Sequence, residues 1–206
     1  MTVALAEFTL AATLVVLLPG PDTLVVIRSL LQRGRQQALR TVLGVLTGLS
    51  TWACCAALGI SALLRASHDG YTALRIAGAA YLCLLGIQAF RSRGATAEID
   101  RTESRRRSVI GTGYLAGLMT DLLNPKVGVF FVTFLPAFVP HGAAVAPVTL
   151  LFGVIFVALT GLYFVVLIRF ADHLVAGMRK PRLRQALDRC TGAVLVGFGL
   201  RLALTP

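Results

Sequence analysis

Four residues, Pro19-Gly20-Pro21-Asp22, interrupt an otherwise apolar run from Phe8 to Leu31. No other feature constrains the fold as strongly. A proline inside a helix removes a backbone donor and clashes with the preceding turn, at a cost of about 3 kcal/mol. An acid near bilayer mid-depth costs roughly 2.5–3.5 kcal/mol on insertion scales. A soluble loop carries such residues freely. A membrane-spanning helix carries them only where the broken backbone lines a polar cavity.

The rest of the chain favours the membrane. Apolar runs of about 20 residues recur, the length that spans a hydrocarbon layer ~30 Å thick. Of the 206 residues 56% are hydrophobic and only 14% are charged. Mean hydropathy is +0.79, too apolar to coat a soluble domain of this size. The N-terminus has no basic region, and no small-residue cleavage site follows the first apolar stretch, so a cleavable signal peptide is not expected. The net charge of +11 would suggest nucleic acid in a soluble protein. Here the bases fall between apolar runs, which points to membrane topology and anionic lipid, not to nucleic acid.

Six spans are expected, at about residues 8–27, 41–64, 71–90, 109–135, 145–168 and 187–204. Gly34 reads as a turn residue within the basic stretch Arg28, Arg33, Arg35 and Arg40, Arg65–Gly70 as a polar turn, and residues 91–108 as a charged linker that divides the chain nearly in half. Sixteen of the 20 basic residues follow spans one, three and five, while Arg65, Arg75 and Arg201 fall on the other side and Lys126 lies within a span. That asymmetry predicts three cytoplasmic basic loops and both termini outside. A re-entrant first span would move the N-terminus inside.

The fourth span is broken as well, at Asp121-Leu-Leu-Asn124-Pro125-Lys126. The two breaks lie at matching depths, and each is followed by two further spans. Three spans per half is an odd number, so the halves must be inverted. The predicted fold is therefore an all-α membrane protein, a single transmembrane domain over 1–206. Its six transmembrane helices form two inverted three-helix repeats, about 1–90 and 109–206, with helices 1 and 4 broken.

Other features are read as packing or interface. Gly44-x-x-x-Gly48 and Gly113-x-x-x-Gly117 permit close helix approach, as the seam of a homodimer or as internal packing. Trp52 and the cysteines Cys54, Cys55, Cys83 and Cys190 read as helix-packing residues, Tyr81 and Tyr114 as packing and hydrogen-bonding residues, and Phe130, Phe131, Phe134 and Phe138 as lining lipid or packing seams. Glu7 reads as an interfacial acid, with a proton-carrying role as the alternative. His68, His141 and His173 are expected in loops, with no metal-ligand spacing.

Several motifs together resemble the LysE/RhtB family of bacterial amino-acid exporters. Leu-Leu-Pro19-Gly20-Pro21-Asp22 is followed by Arg28 and Arg33-Gly34-Arg35. Arg75-Ile-Ala-Gly78-Ala-Ala-Tyr81 comes next, ending in Leu-Gly86. Leu122-Leu-Asn124-Pro125-Lys126 then leads to Phe130-Phe131 and Phe134-Leu-Pro136-x-Phe138. The likeness covers nearly the whole chain. It implies a multi-pass carrier of the bacterial cytoplasmic membrane that exports amino acids or close derivatives, driven by proton motive force, with no cofactor. Two departures concern the site: Gly48-Leu49-Ser50 stands where many relatives carry an acid, and Asp121 where many carry Asn.

An amino acid brings a carboxylate and an ammonium, and a membrane site must answer both. Lys126 and freed donors at a half-helix start are candidates for the carboxylate. Asp22 and Asp121 are candidates for the ammonium or for a coupling proton. Asn124 offers a donor and acceptors, and the carbonyls released by Pro21 and Pro125 are further acceptors. Arg28 is a candidate cytoplasmic gate or interfacial anchor. A Lys126 ion pair with Asp22 or Asp121, holding the halves together without touching substrate, is the competing reading. Other functions have weaker support. A redox carrier would need cysteines at the breaks, and a metal or cation exporter would need His, Cys or carboxylate clusters. An intramembrane enzyme would need a nucleophile–base or zinc motif. A passive channel is the remaining alternative.

Overall fold

The computed structural model describes residues 2–17, 20–66, 68–91, 112–140 and 142–170, with Arg189, Gly192, Ala193, Val196, Gly197, Gly199 and Leu200. Among these residues every element is helical: α1 (Thr2–Leu17), α2 (Pro21–Ala66), α3 (His68–Arg91), α4 (Tyr114–Leu122), α5 (Pro125–Val129) and α6 (Val145–Arg169). After α5 the helix widens to a π-turn over Phe130–Phe134 and tightens to a 3₁₀ turn over Leu135–Phe138. Pro136 stands at that switch and has no amide to donate back along the helix.

By length and apolarity, α2 over Pro21–Gly59 and α6 are each able to cross a membrane. The bent pair of α4 with Pro125–Phe138 makes a third if it is one span, with an angle of 54° between its halves. Pro125 explains the bend, since it lacks an N–H and pushes Asn124 out of helical geometry, to φ −80° and ψ 106°. In α2, Pro21 occupies the first helical position, where a missing amide hydrogen costs nothing. The expected turn at Gly34 is present. Its φ of 77° belongs to the region that glycine enters without steric penalty, and it divides α2 into two arms.

Three expectations are corrected. The polar turn over Arg65–Gly70 is largely helical: α2 runs to Ala66, and His68 begins α3 instead of lying in a loop. The segment has no proline, and Gly70 is tolerated in a helix at a cost of about 1 kcal/mol. Cys54 and Cys55 are exposed, because Ala53, Ala56 and Ala57 take the packed face of α2. Tyr114 is also exposed; its backbone, not its ring, makes the helix contact. His141, His173 and Cys190, and the side chains of Arg75, Tyr81 and Gln88, lie outside the described residues.

Two zones hold the molecule together. In the first, α2 crosses α4 at backbone contact. A Cβ on Gly44 would collide with the Tyr114 carbonyl oxygen, and one on Gly117 with the Thr41 carbonyl oxygen. The two small-residue motifs thus face each other within one chain, so the seam is internal. Thr41 Oγ1 locks its end. It accepts from the Gly113 amide at 3.1 Å and has Ser29 Oγ at 2.8 Å and the Gln37 carbonyl at 3.0 Å for its own proton. Ser29 precedes the Gly34 turn and Thr41 follows it, so one buried hydroxyl ties both arms of α2 to the start of α4.

The second zone is aromatic. Phe8 of α1 stacks on Phe152 of α6 at 4.4 Å between ring centroids and meets Phe138 edge-on at 5.5 Å. Phe130, Phe131 and Phe156 continue the cluster. Of the two readings of Phe130, Phe131, Phe134 and Phe138, lining lipid or packing seams, their burial selects packing. The outward faces remain apolar, with Leu10, Leu43, Leu58, Val154 and Leu162 all exposed, as suits a chain surrounded by lipid.

Candidate functional site

The two breaks meet. Asn124 Nδ2, from the break between α4 and α5, donates to Asp22 Oδ2, from the first turn of α2, at 2.9 Å. The other end of the same amide accepts from the Lys126 backbone N–H at 3.1 Å and caps α5. Asn124 therefore ties the two breaks and shapes one of them. Lys126 reaches across in the other direction: its Nζ lies 3.9 Å from where a Cβ on Gly20 would stand.

Between the breaks lies a small cavity of about 50 Å³. One wall is polar, formed by Gly20, Asp22, Thr23, Asn124 and Lys126, with Thr160 and Tyr163 facing them from α6. The opposite wall is apolar, with Val15 and Val16 of α1, Leu49 of α2, Val127, and the rings of Phe130, Phe156 and Phe164. Among the described residues one acid and one base line it, and they come from different breaks. Asp22 also gains from its place in the first turn of α2, where the helix dipole favours negative charge. A larger and more open groove of about 620 Å³ lies on the far side of the second break, between Trp52, Gly78, Leu122 and Val132. Among the described residues none that lines it is charged, so they offer a zwitterion no partner.

Of the residues singled out from the sequence, Gly20, Asp22, Asn124 and Lys126 line the cavity. Pro21 and Pro125 start the half-helices that present them. Asp121 does not join them. It is fully buried in the last turn of α4, against Gly48, and neither carboxyl oxygen has a hydrogen-bond partner. A Lys126–Asp121 hydrogen bond is therefore not made. Arg28 lies further along α2, where its Nε is 3.4 Å from Gln32 Oε1, and it is not part of the cavity wall. Glu7 is exposed on α1. Pro19 lies outside the described residues.

The contribution of α6 was not anticipated. Phe156, Thr160, Tyr163 and Phe164 recur at helical spacing on one face. That stripe of hydroxyls and rings inside an otherwise aliphatic span was the available signal. Leu49 and Thr23 follow from their neighbours once the breaks are known to face each other. For the metal-exporter alternative, no group of three or more His, Cys, Asp or Glu comes together among the described residues.

A family model of LysE type translocators matches residues 13–205. The chain is 28% identical to the uncharacterized membrane protein YrhP of Bacillus subtilis, across 94% of this chain and 95% of that one. It is 31% identical to a threonine efflux protein of Salmonella typhi, across 96% and 97%. It is 27% identical to a homoserine/homoserine lactone efflux protein of the same organism, across 95% and 94%. No solved structure matches.

Proposed function

The chain belongs to the LysE type translocator family, and from that premise we propose that it exports small neutral amino acids across the bacterial cytoplasmic membrane, coupled to proton motive force. The observation that carries the reading is the pairing of one acid and one base, from two facing helix breaks, in a single cavity. Lys126 takes the substrate carboxylate and Asp22 its ammonium, while Asn124 turns its amide between them. Each charge of a zwitterion then has one answer. Among the described residues no third charged group lines the cavity, which argues against a lysine or arginine side chain. The small volume and the Phe130, Phe156 and Phe164 wall favour a short side chain. Threonine and homoserine, named for two relatives, are of this kind.

The same reading keeps the six-span, inverted-repeat architecture, the cytoplasmic basic loops and the outward termini as its topology. Arg28, less than two turns beyond Asp22 on α2, is its cytoplasmic gate. The test is efflux from cells loaded with a panel of labelled amino acids, with and without the protein. Faster efflux of threonine or homoserine than of lysine is expected. No difference for any amino acid overturns the proposal.

A further inference from the structure

Asp121 is the acid that the cavity leaves unused. A Cβ on Gly48 would overlap Asp121 Oδ2, Cγ and Cβ, so the carboxyl fills the notch that the glycine leaves in α2. The notch cannot relax by the helices drifting apart, because Gly44 and Gly117 hold the same crossing at backbone contact. The carboxyl has no exposed surface, and both its oxygens lack a hydrogen-bond partner. An ionised carboxylate without donors is costly in such surroundings, and a single bound proton removes its charge, leaving the smaller cost of a neutral buried carboxyl. A metal cation would need several more oxygens around it. A proton needs one.

We propose that Asp121 is the binding site of the exchanged proton, one per transport cycle, sealed against Gly48 and separate from the amino-acid cavity. This rests on the reading of the chain as a proton-coupled exporter. The route from the proton to the substrate is short. The Asp121 carbonyl accepts from the Asn124 amide at 3.0 Å, and Asn124 Nδ2 holds Asp22 Oδ2. A change at Asp121 thus shifts the turn that aims the Asn124 side chain. Among the described elements, α2 and α5 are packed on α4. The charged groups they bring to the break are Asp22 and Lys126. A proton taken from the outer solution forms the Asp121 O–H bond. The bond breaks again toward the cytoplasm as the amino acid leaves in the opposite direction.

Asp121→Asn keeps the side-chain shape and removes the exchangeable proton. In proteoliposomes, uphill threonine transport driven by a pH gradient is expected to fall at least tenfold in this variant. Equilibrium exchange of labelled for unlabelled threonine, which needs no net proton movement, is expected to fall far less. Retained uphill transport overturns the assignment, and so does equal loss of both activities in a variant that melts with the wild type. The second measurement uses the unaltered protein: infrared difference spectra in lipid with and without threonine. A change in the C=O band of a protonated carboxyl is expected, and its absence overturns the assignment even if Asp121→Asn fails to fold. If the wild type moves no amino acid at all, it is the exporter reading that fails instead.

Discussion

The crossing of α2 on α4 and the cavity between the two breaks adjoin each other, and they are built on opposite rules. Both depend on glycine. At the crossing, Gly44, Gly48 and Gly117 are filled by the neighbouring helix, so no space remains for a Cβ. At the break, a Cβ on Gly20 would meet only the end of the Lys126 side chain, at 3.9 Å. The crossing joins backbone to backbone and can hardly yield. The break joins side chain to side chain, and long side chains can move. The comparison teaches that the immobile surface lies directly beside the surface that must open for a substrate, which gives the moving parts something fixed to move against.

The strongest way to break the comparison is to fill the crossing. Gly117→Val drives a branched side chain into the Thr41 carbonyl, and overpacking of this kind costs at least the ~1–3 kcal/mol seen in soluble cores. The expected result is little or no folded protein, read from the monodisperse yield in detergent. A normal yield would show that the crossing yields after all.

The next largest effect separates function from folding. Lys126→Met and Asp22→Asn should each lower amino-acid efflux at least tenfold, equivalent to about 1.4 kcal/mol of lost interaction. Their melting temperatures should stay close to that of the parent. If the pair served only to hold the halves together, stability would fall in step with transport.

Thr41→Val sharpens the rigid side of the comparison. It leaves the Gly113 amide and Ser29 without their buried partner, which should destabilise by about 1–3 kcal/mol, measured by thermal unfolding in detergent. Efflux per folded molecule should change little. Gly20→Ala is expected to matter least for stability, within about 0.5 kcal/mol, because its Cβ would make an ordinary contact with a flexible side chain. A large loss of stability there would place Gly20 with the crossing glycines.

Much of this was legible in the residues because its causes are local. Prolines 21 and 125 act on their own peptide units, so both breaks could be located from the sequence. Gly34 could be read as a turn for the same reason. The last apolar span to be described in full was expected at about 145–168 and is helical over Val145–Arg169. Pro147 falls in its first turn, where proline is tolerated. The Arg65–Gly70 turn was misread because polarity was taken for a break, when nothing there forbids helical geometry.

What lay beyond local reading was which faces meet. Gly44-x-x-x-Gly48 served equally well as a dimer seam or an internal one until Gly117 was seen opposite. Asp22 and Asp121 were interchangeable as acids in the sequence, each beside a broken helix. Neighbours on other helices made one of them a partner of Asn124 at the cavity and left the other sealed against Gly48. The sequence by itself determined an apolar helical chain with two proline-broken segments, because hydropathy and proline stereochemistry act residue by residue. Only the tertiary structure decided that the breaks share one cavity, that α6 supplies its far wall, and that a glycine 73 positions away leaves room for the Asp121 carboxyl. Those outcomes depend on contacts between residues far apart in the chain, and packing alone sets them.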